Sequence, residues 1–163
     1  MPHKYLLKEF EDFARSAPKA ESLMQHISQR IHMHIPRYNW VGFYLFDEKD
    51  LSTLVLGPHA GSFTPNPKIS IGQGLCGSAA ATGRIVVADD VSKDPRYLQA
   101  SDLVKSQISV PVAITGKTHA VLNVESYFLN AFKAPEERNF VEACVKIVAK
   151  SFEHKSLRDL VHV

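Results

Sequence analysis

The sequence predicts an α+β domain built on an antiparallel sheet, and three observations carry that prediction. Apolar residues recur at helical spacing in the first part of the chain, at a spacing of two through its middle, and at helical spacing again after Pro135. Short polar turns join the strand-like runs, so neighbouring strands pair as hairpins and therefore antiparallel. One glycine-flanked stretch of small residues, Gly72 to Gly83, interrupts the strands as a helical insertion. With 163 residues, 45% hydrophobic and 22% charged, the chain can bury roughly 70% of the surface its unfolded form exposes, which suits one core and not two. A single domain spanning 1–163 is expected.

Leu6, Phe10 and Phe13 define a first helix, and Ser16 and Pro18 read as a cap and a first-turn proline for a second. In that second helix Leu23, Ile27 and Ile31 form one stripe with Met24 beside it, and Pro36 ends it because the residue before a proline avoids the α region. The N-terminal helices thus cover 4–35. His26, His32 and His34 read as solvated histidines of the helix surface.

From Asn39 the run NWVGFYLF places Trp40, Gly42, Tyr44 and Phe46 on one face and Val41, Phe43 and Leu45 on the other. Both faces are apolar, as in a strand covered on both sides. Asp47 to Asp50 is a turn, Leu51 to Leu56 a returning strand, and Gly57 to Pro67 a loop rich in glycine and proline, long enough to be functional. Short strands at 68–71 and 85–88 flank the small-residue helix. Ile108 to Ile114 and His119 to Tyr127 form a hairpin in which Gly116 supplies the permissive turn conformation. Pro135 opens the last helix, 135–154, with Glu136 and Glu137 favourably placed in its first turn and Val141, Val145, Val148 and Phe152 as its apolar stripe.

Several function classes are disfavoured. A net charge of +2, evenly spread, marks no nucleic-acid-binding surface. The opening MPHKYLLKEF lacks the apolar run of a signal peptide, and Cys76 and Cys144 make no disulfide framework, so a cytoplasmic protein with reduced thiols is expected. The uncharged run Ile69 to Gly83 is too short for a membrane span. The two cysteines lack zinc-site spacing, and neither a metal nor a cofactor is expected.

Three features carry candidate chemistry. Gly72, Gly74 and Gly77 match G-x-G-x-x-G, but without a βαβ unit the favoured reading is that these glycines let a helix start pack closely on a sheet. Exposed N–H groups there can still hold an anionic group of a small ligand. Cys76, in the first turn of that helix, is a candidate reactive thiol, since the macrodipole favours a thiolate; the alternative is a small buried residue. In AVLNVES, Asn123 and Glu125 share one strand face with apolar Val121, and a carboxylate and an amide facing inward need partners. They read either as an exposed polar face or as the floor of a small-ligand pocket with Trp40 and Tyr44 as aromatic walls.

Taken together, NWVGFYLF, the LGP loop opener, IGQGLCGSAAATGR, SVPV and AVLNVES resemble a GAF domain, and more narrowly the GAF-fold free methionine-(R)-sulfoxide reductases, from about Tyr38 to Phe152. The resemblance implies a six-stranded antiparallel sheet with N- and C-terminal helices packed on one face and a ligand pocket on the other. It places the family's pocket aromatics on Trp40 and Tyr44, and its substrate-binding carboxylates on Gln107, Asn123 and Glu125, of which only Glu125 keeps a carboxylate. One family cysteine falls on Cys76. The other two fall near Pro65 or Asn66 and near Ala100, where this chain has no sulfur. Reducing a sulfoxide with thiols takes one thiolate to attack and a second thiol to resolve the adduct. The expectation is therefore a small-molecule-binding sensor or regulatory domain for a small polar, amino-acid-like ligand, with enzyme activity less favoured. The alternatives are a one-cysteine reductase using Cys76 with an external thiol, or a vestigial dimerisation domain. A homodimer is expected, on the ground that Met24 and Ile147 widen the apolar stripes of the terminal helices.

Overall fold

The computed structural model of the chain describes residues 2–17 and 19–161. Two helices open it, α1 (His3–Ser16) and α2 (Ala20–His34), and a third, α4 (Pro135–Val161), closes it. Between them lie β1 (Trp40–Asp47), β2 (Asp50–Gly61), β3 (Lys68–Ser70), the helix α3 (Gly74–Thr82), β4 (Val86–Ala88), β5 (Ser106–Ile114) and β6 (Lys117–Ser126). The six strands form one antiparallel sheet in the order β3-β2-β1-β6-β5-β4. This is the predicted α+β class.

Strand alternation divides the core between the two faces. On one, Val41, Phe43, Leu122, Val124, Ile108 and Val110 pack with Leu6, Phe10, Leu23, Ile27, Ile31, Phe140, Val141 and Cys144 of the terminal helices. On the other, Trp40, Tyr44 and Val121 pack with Leu75, Cys76 and Ala79 of α3. A strand in the middle of a sheet covered on both faces is apolar on both, which is why NWVGFYLF shows no polar alternation. The β5–β6 hairpin turns at Thr115 and Gly116, with φ of 49° and 80°. Two positive φ values in a two-residue turn match the twist of the strands it joins.

Four expectations need correction. The loop placed at Gly57 to Pro67 is shorter, because β2 runs on to Gly61 and pairs Gly61 with Trp40 and Ala60 with Val41. The outer edge of that extension is covered by α2: Ser28 Oγ donates to the Pro58 carbonyl at 3.4 Å and Gln25 Nε2 to that of His59 at 3.4 Å. A proline is tolerated there because no ladder bond is asked of its nitrogen. Ser16 is no cap for α2; it ends α1, with its hydroxyl turned back to the Phe13 carbonyl at 3.4 Å, and Lys19 precedes α2 with no side-chain cap bond. Pro18 lies outside the described residues. His26 and His32 are not simply solvated. His26 stacks on Phe13 with centroids 4.0 Å apart and meets Glu9 at 3.0 Å, and His32 Nδ1 lies 3.1 Å from the Tyr38 carbonyl. Finally, Met24 belongs to the chain's own core at 2% exposure and so offers nothing to a second copy, and Ile147 packs against that core and is half-buried.

Glu137, in the first turn of α4, is buried and serves as a knot as well as a complement to the helix dipole. Arg37 Nη2 donates to it at 3.0 Å, and it pairs with His3 at the start of α1.

Candidate functional site

The site lies on the α3 face, where β6 ends beside the start of β5. Because β6 pairs with both β1 and β5, its residues Asn123 and Glu125 have neighbours on either side: Gly42 and Trp40 on β1, Ser109 and Gln107 on β5. Side chains of paired residues project to the same face. The result is a buried polar ladder. Gln107 Nε2 donates to Asn123 Oδ1 at 2.6 Å, Ser109 Oγ donates to the same oxygen at 2.8 Å, and Asn123 Nδ2 donates to Glu125 Oε2 at 3.2 Å. Gln107, Asn123 and Glu125 are 5%, 3% and 5% exposed. The exposed-face alternative for this strand is thereby excluded.

The ladder ends on a carboxylate beside a cavity of about 20 Å³, walled by Glu125, Asn123 and Gln107 from the sheet, Tyr44 from β1, Gly74, Leu75 and Cys76 from the start of α3, and Asn66, Leu98 and Ala100 from loops. No salt bridge reaches Glu125 among the described residues. Burial away from water pushes its carboxyl up to about 7, against a smaller lowering by the Asn123 hydrogen bond. Tyr44 donates its hydroxyl to the Asn66 carbonyl at 2.6 Å, and burial raises its phenol, with Cys76 and Glu125 adding to the rise.

Trp40 shares this face, yet its indole is not part of the cavity wall. It lies flat on the sheet over two glycines: a β-carbon at Gly42 would come within 2.5 Å of the ring, and one at Gly61 within 2.2 Å. His59, Phe63 and Tyr44 surround it at centroid distances of 5.7, 6.2 and 6.0 Å. Trp40 Nε1 has no hydrogen-bond partner among the described residues.

Cys76 corrects the thiolate expectation. It does sit in the first turn of α3, but it is 2% exposed, and desolvation, with Glu125 second, raises its thiol far above the ordinary range. A macrodipole is worth less than the removal of water from an anion. The glycine pattern behaves as its bland reading requires, since a β-carbon on Gly77 would meet the Ser70 carbonyl at 2.5 Å, so only glycine lets α3 lie so close to β3. Cys144 belongs to the opposite core, and both cysteines are free. Ser109 was missed in the sequence although it stands two residues from Gln107 on the same strand face. Leu98 lies in an irregular segment that offers no period to read. Asn66 and Ala100, where the resemblance places cysteines, both stand on the cavity wall.

Fold and site together define a sheet-floored pocket domain of the GAF type, and the GAF domain model matches residues 19–152. The chain belongs to the GAF domain family. It is 30% identical over 151 residues to protein YtsP of Bacillus subtilis, covering 91% of each chain. It is 32% identical over 133 residues to a free methionine-R-sulfoxide reductase of Saccharomyces cerevisiae, covering 81% of this chain and 71% of that one. Among solved structures, the free methionine-R-sulfoxide reductase of Neisseria meningitidis in complex with its substrate superposes with a TM-score of 0.86 at 29% identity, over 93% of this chain and 88% of that one. No helix among the described residues is long and apolar enough to cross a membrane.

Proposed function

We propose that this chain is a small-molecule-binding domain, with a sensor or regulatory role, that holds a small polar, amino-acid-like ligand without transforming it. The observation that carries this reading is the polar ladder through Asn123 to Glu125, buried on an otherwise apolar face and ending at a cavity whose described lining holds no cation to compensate the carboxylate. A buried carboxylate with one amide donor and no compensating charge is costly to keep. A ligand donor placed against Glu125 offsets that cost, and the amides of Gln107 and Asn123 both donate and accept, which suits a less cationic ligand than three carboxylates would select.

The second reading is a one-cysteine sulfoxide reductase, favoured by the names of the yeast and Neisseria relatives. Against it stands the raised, buried thiol of Cys76, since the thiolate is the attacking form. Cys144 lies in the other core, so resolution would fall to an external thiol.

A thermal-shift panel of amino acids, free methionine sulfoxide, nucleotides and cyclic nucleotides tests the first reading, since a ligand of the native state raises the melting temperature. An amino-acid-like compound is expected to raise it, and Asn123→Ala to remove the rise. A panel with no shift, or a shift untouched by that substitution, overturns the binding reading. Steady-state reduction of free methionine-(R)-sulfoxide above about 1 s⁻¹, abolished in Cys76→Ser, would put the reductase first. A homodimer joined by the N-terminal and C-terminal helices is proposed alongside, with exposed Tyr5 of α1 and Met33 of α2, at 68% and 66%, as apolar surface available to it; a sedimenting species of 18.2 kDa alone at micromolar concentration refutes it.

A further inference from the structure

The cavity as it stands has room for about one water molecule, whereas sites for small organic ligands run to roughly 300 Å³ or more. Part of its wall must move if a ligand is to enter. The floor belongs to central strands, so the choice lies between two loops. Residues 62–67 are tied to the body of the domain along their length. Ser62 N donates to the Asn39 carbonyl at 2.9 Å, the Asn66 carbonyl accepts from Tyr44 at 2.6 Å, and the Pro67 carbonyl accepts from Leu56 N at 3.0 Å. Phe63 also stacks between Trp40 and Tyr127, at 6.2 and 6.3 Å.

Residues 95–103 are bound quite differently. Tyr97 N donates to the Asp94 carbonyl, Arg96 pairs with the Asp94 side chain, and Leu103 N and Val104 N donate to Ser101, so every hydrogen bond recorded for this segment stays within residues 94–104. Outside it, Val91 N donates to the Lys105 carbonyl (2.9 Å) and clasps the two stems together, and Lys105 N donates to the Ser126 carbonyl (2.8 Å) and ties that clasp to β6. Across the cavity mouth the contact is packing alone, with Leu98 seated on Gly74. A β-carbon at Gly74 would approach Leu98 Cβ to 2.9 Å. We propose that residues 95–103 are a lid over the cavity, swinging on the Val91–Lys105 clasp, with Leu98 as the plug that closes it.

Opening breaks no hydrogen bond to the rest of the described chain and uncovers the few side chains of the cavity wall, Cys76 among them, so it lies well below global unfolding on the scale of local openings. The lid's purpose rests on the binding-site reading, but its motion can be tested without any ligand. The two cysteines make an internal pair of reporters. Cys76 lies beneath the lid, while Cys144 is buried in the opposite core and is released only when the helices separate from the sheet. Native protein is incubated with iodoacetamide at several urea concentrations below the unfolding transition, and labelling of each cysteine is followed by peptide mass spectrometry. Cys76 is expected to label at least tenfold faster than Cys144, at a rate nearly independent of urea, while Cys144 follows global unfolding. Leu98→Ala is expected to raise the Cys76 rate severalfold with the Cys144 rate unchanged, and Phe63→Ala, which loosens the other loop, to leave the ratio of the two rates as it was. Equal rates with equal urea dependence overturn the proposal, as does acceleration by Phe63→Ala and not by Leu98→Ala. A lid that opens with no ligand found, or a ligand that binds with no lid opening, separates this inference from the binding reading.

Discussion

Replacing Glu125 by glutamine should remove a pH dependence of stability that the wild type carries. In the unfolded chain its carboxyl titrates near the ordinary 4.5; in the folded chain burial raises it to about 7. Between those values the folded state holds the proton more tightly than the unfolded state, so stability falls as pH rises. The contribution is fully present below pH 4.5 and lost once the pH has passed about 7. Its size follows from about 1.36 kcal/mol for each unit of difference, which makes the total about 3 kcal/mol. Glutamine keeps the shape and the acceptor for Asn123 Nδ2 but cannot ionise. Urea denaturation of both proteins at intervals from pH 4 to 8.5 measures the effect. Glu125→Gln is expected to match wild type within about 1 kcal/mol at pH 4 and to exceed it by about 3 kcal/mol at pH 8, a midpoint shift of roughly 1 M or more. The other carboxylates and the 8 histidines titrate in both proteins and cancel in the difference. A difference flat to about 0.5 kcal/mol across the range would refute the claim that Glu125 is buried without a compensating charge.

Other substitutions probe the frame around the site. Gly61→Ala drives a β-carbon to 2.2 Å from Trp40 Cδ1 and should lower stability by about 1–3 kcal/mol, visible as a drop in thermal midpoint and a change in Trp40 fluorescence. Phe132→Ala empties a fully buried position of the helical-face core and should lose about 3–5 kcal/mol in denaturant titration. Glu9 accepts from Arg30 Nε at 2.9 Å and Nη2 at 3.0 Å, and Arg30 first, then His26, holds its carboxyl below the usual range. Glu9→Ala should therefore lower stability by no more than about 1 kcal/mol at neutral pH, and the loss should vanish as the pH falls through the lowered carboxyl value and the wild-type pairs dissolve.

The architecture was legible in the sequence because periodicity is a local property. Leu23, Ile27 and Ile31 announce a helix, and NWVGFYLF a doubly covered strand, from the spacing of neighbours alone. The same parity put Asn123 and Glu125 on one face, with Trp40 and Tyr44 from another two-sided strand as walls; the resemblance added Gln107, from which parity could have reached Ser109. Parity does not say which way a face is covered or how far a side chain reaches. That Trp40 lies down over Gly42 and Gly61 and leaves the cavity to Tyr44 depends on a contact between residues twenty-one positions apart. β2 was cut short at Leu56 because glycine and proline read as breakers, whereas α2 covers that edge and Gly61 must be small to pass beneath an indole. Cys76 shows the same division. Its place in the first turn of α3 is a matter of sequence, and of the two readings that place allowed, a thiolate or a small buried residue, burial favours the second, because ionisation answers to solvent, which only the packing of α3 on the sheet excludes. Local spacing thus determined the elements and the facing of the polar ladder; burial, charge state and the two unequal loops over the cavity were decided by which distant segments the fold brings together, since desolvation and close packing arise only between surfaces that meet in three dimensions.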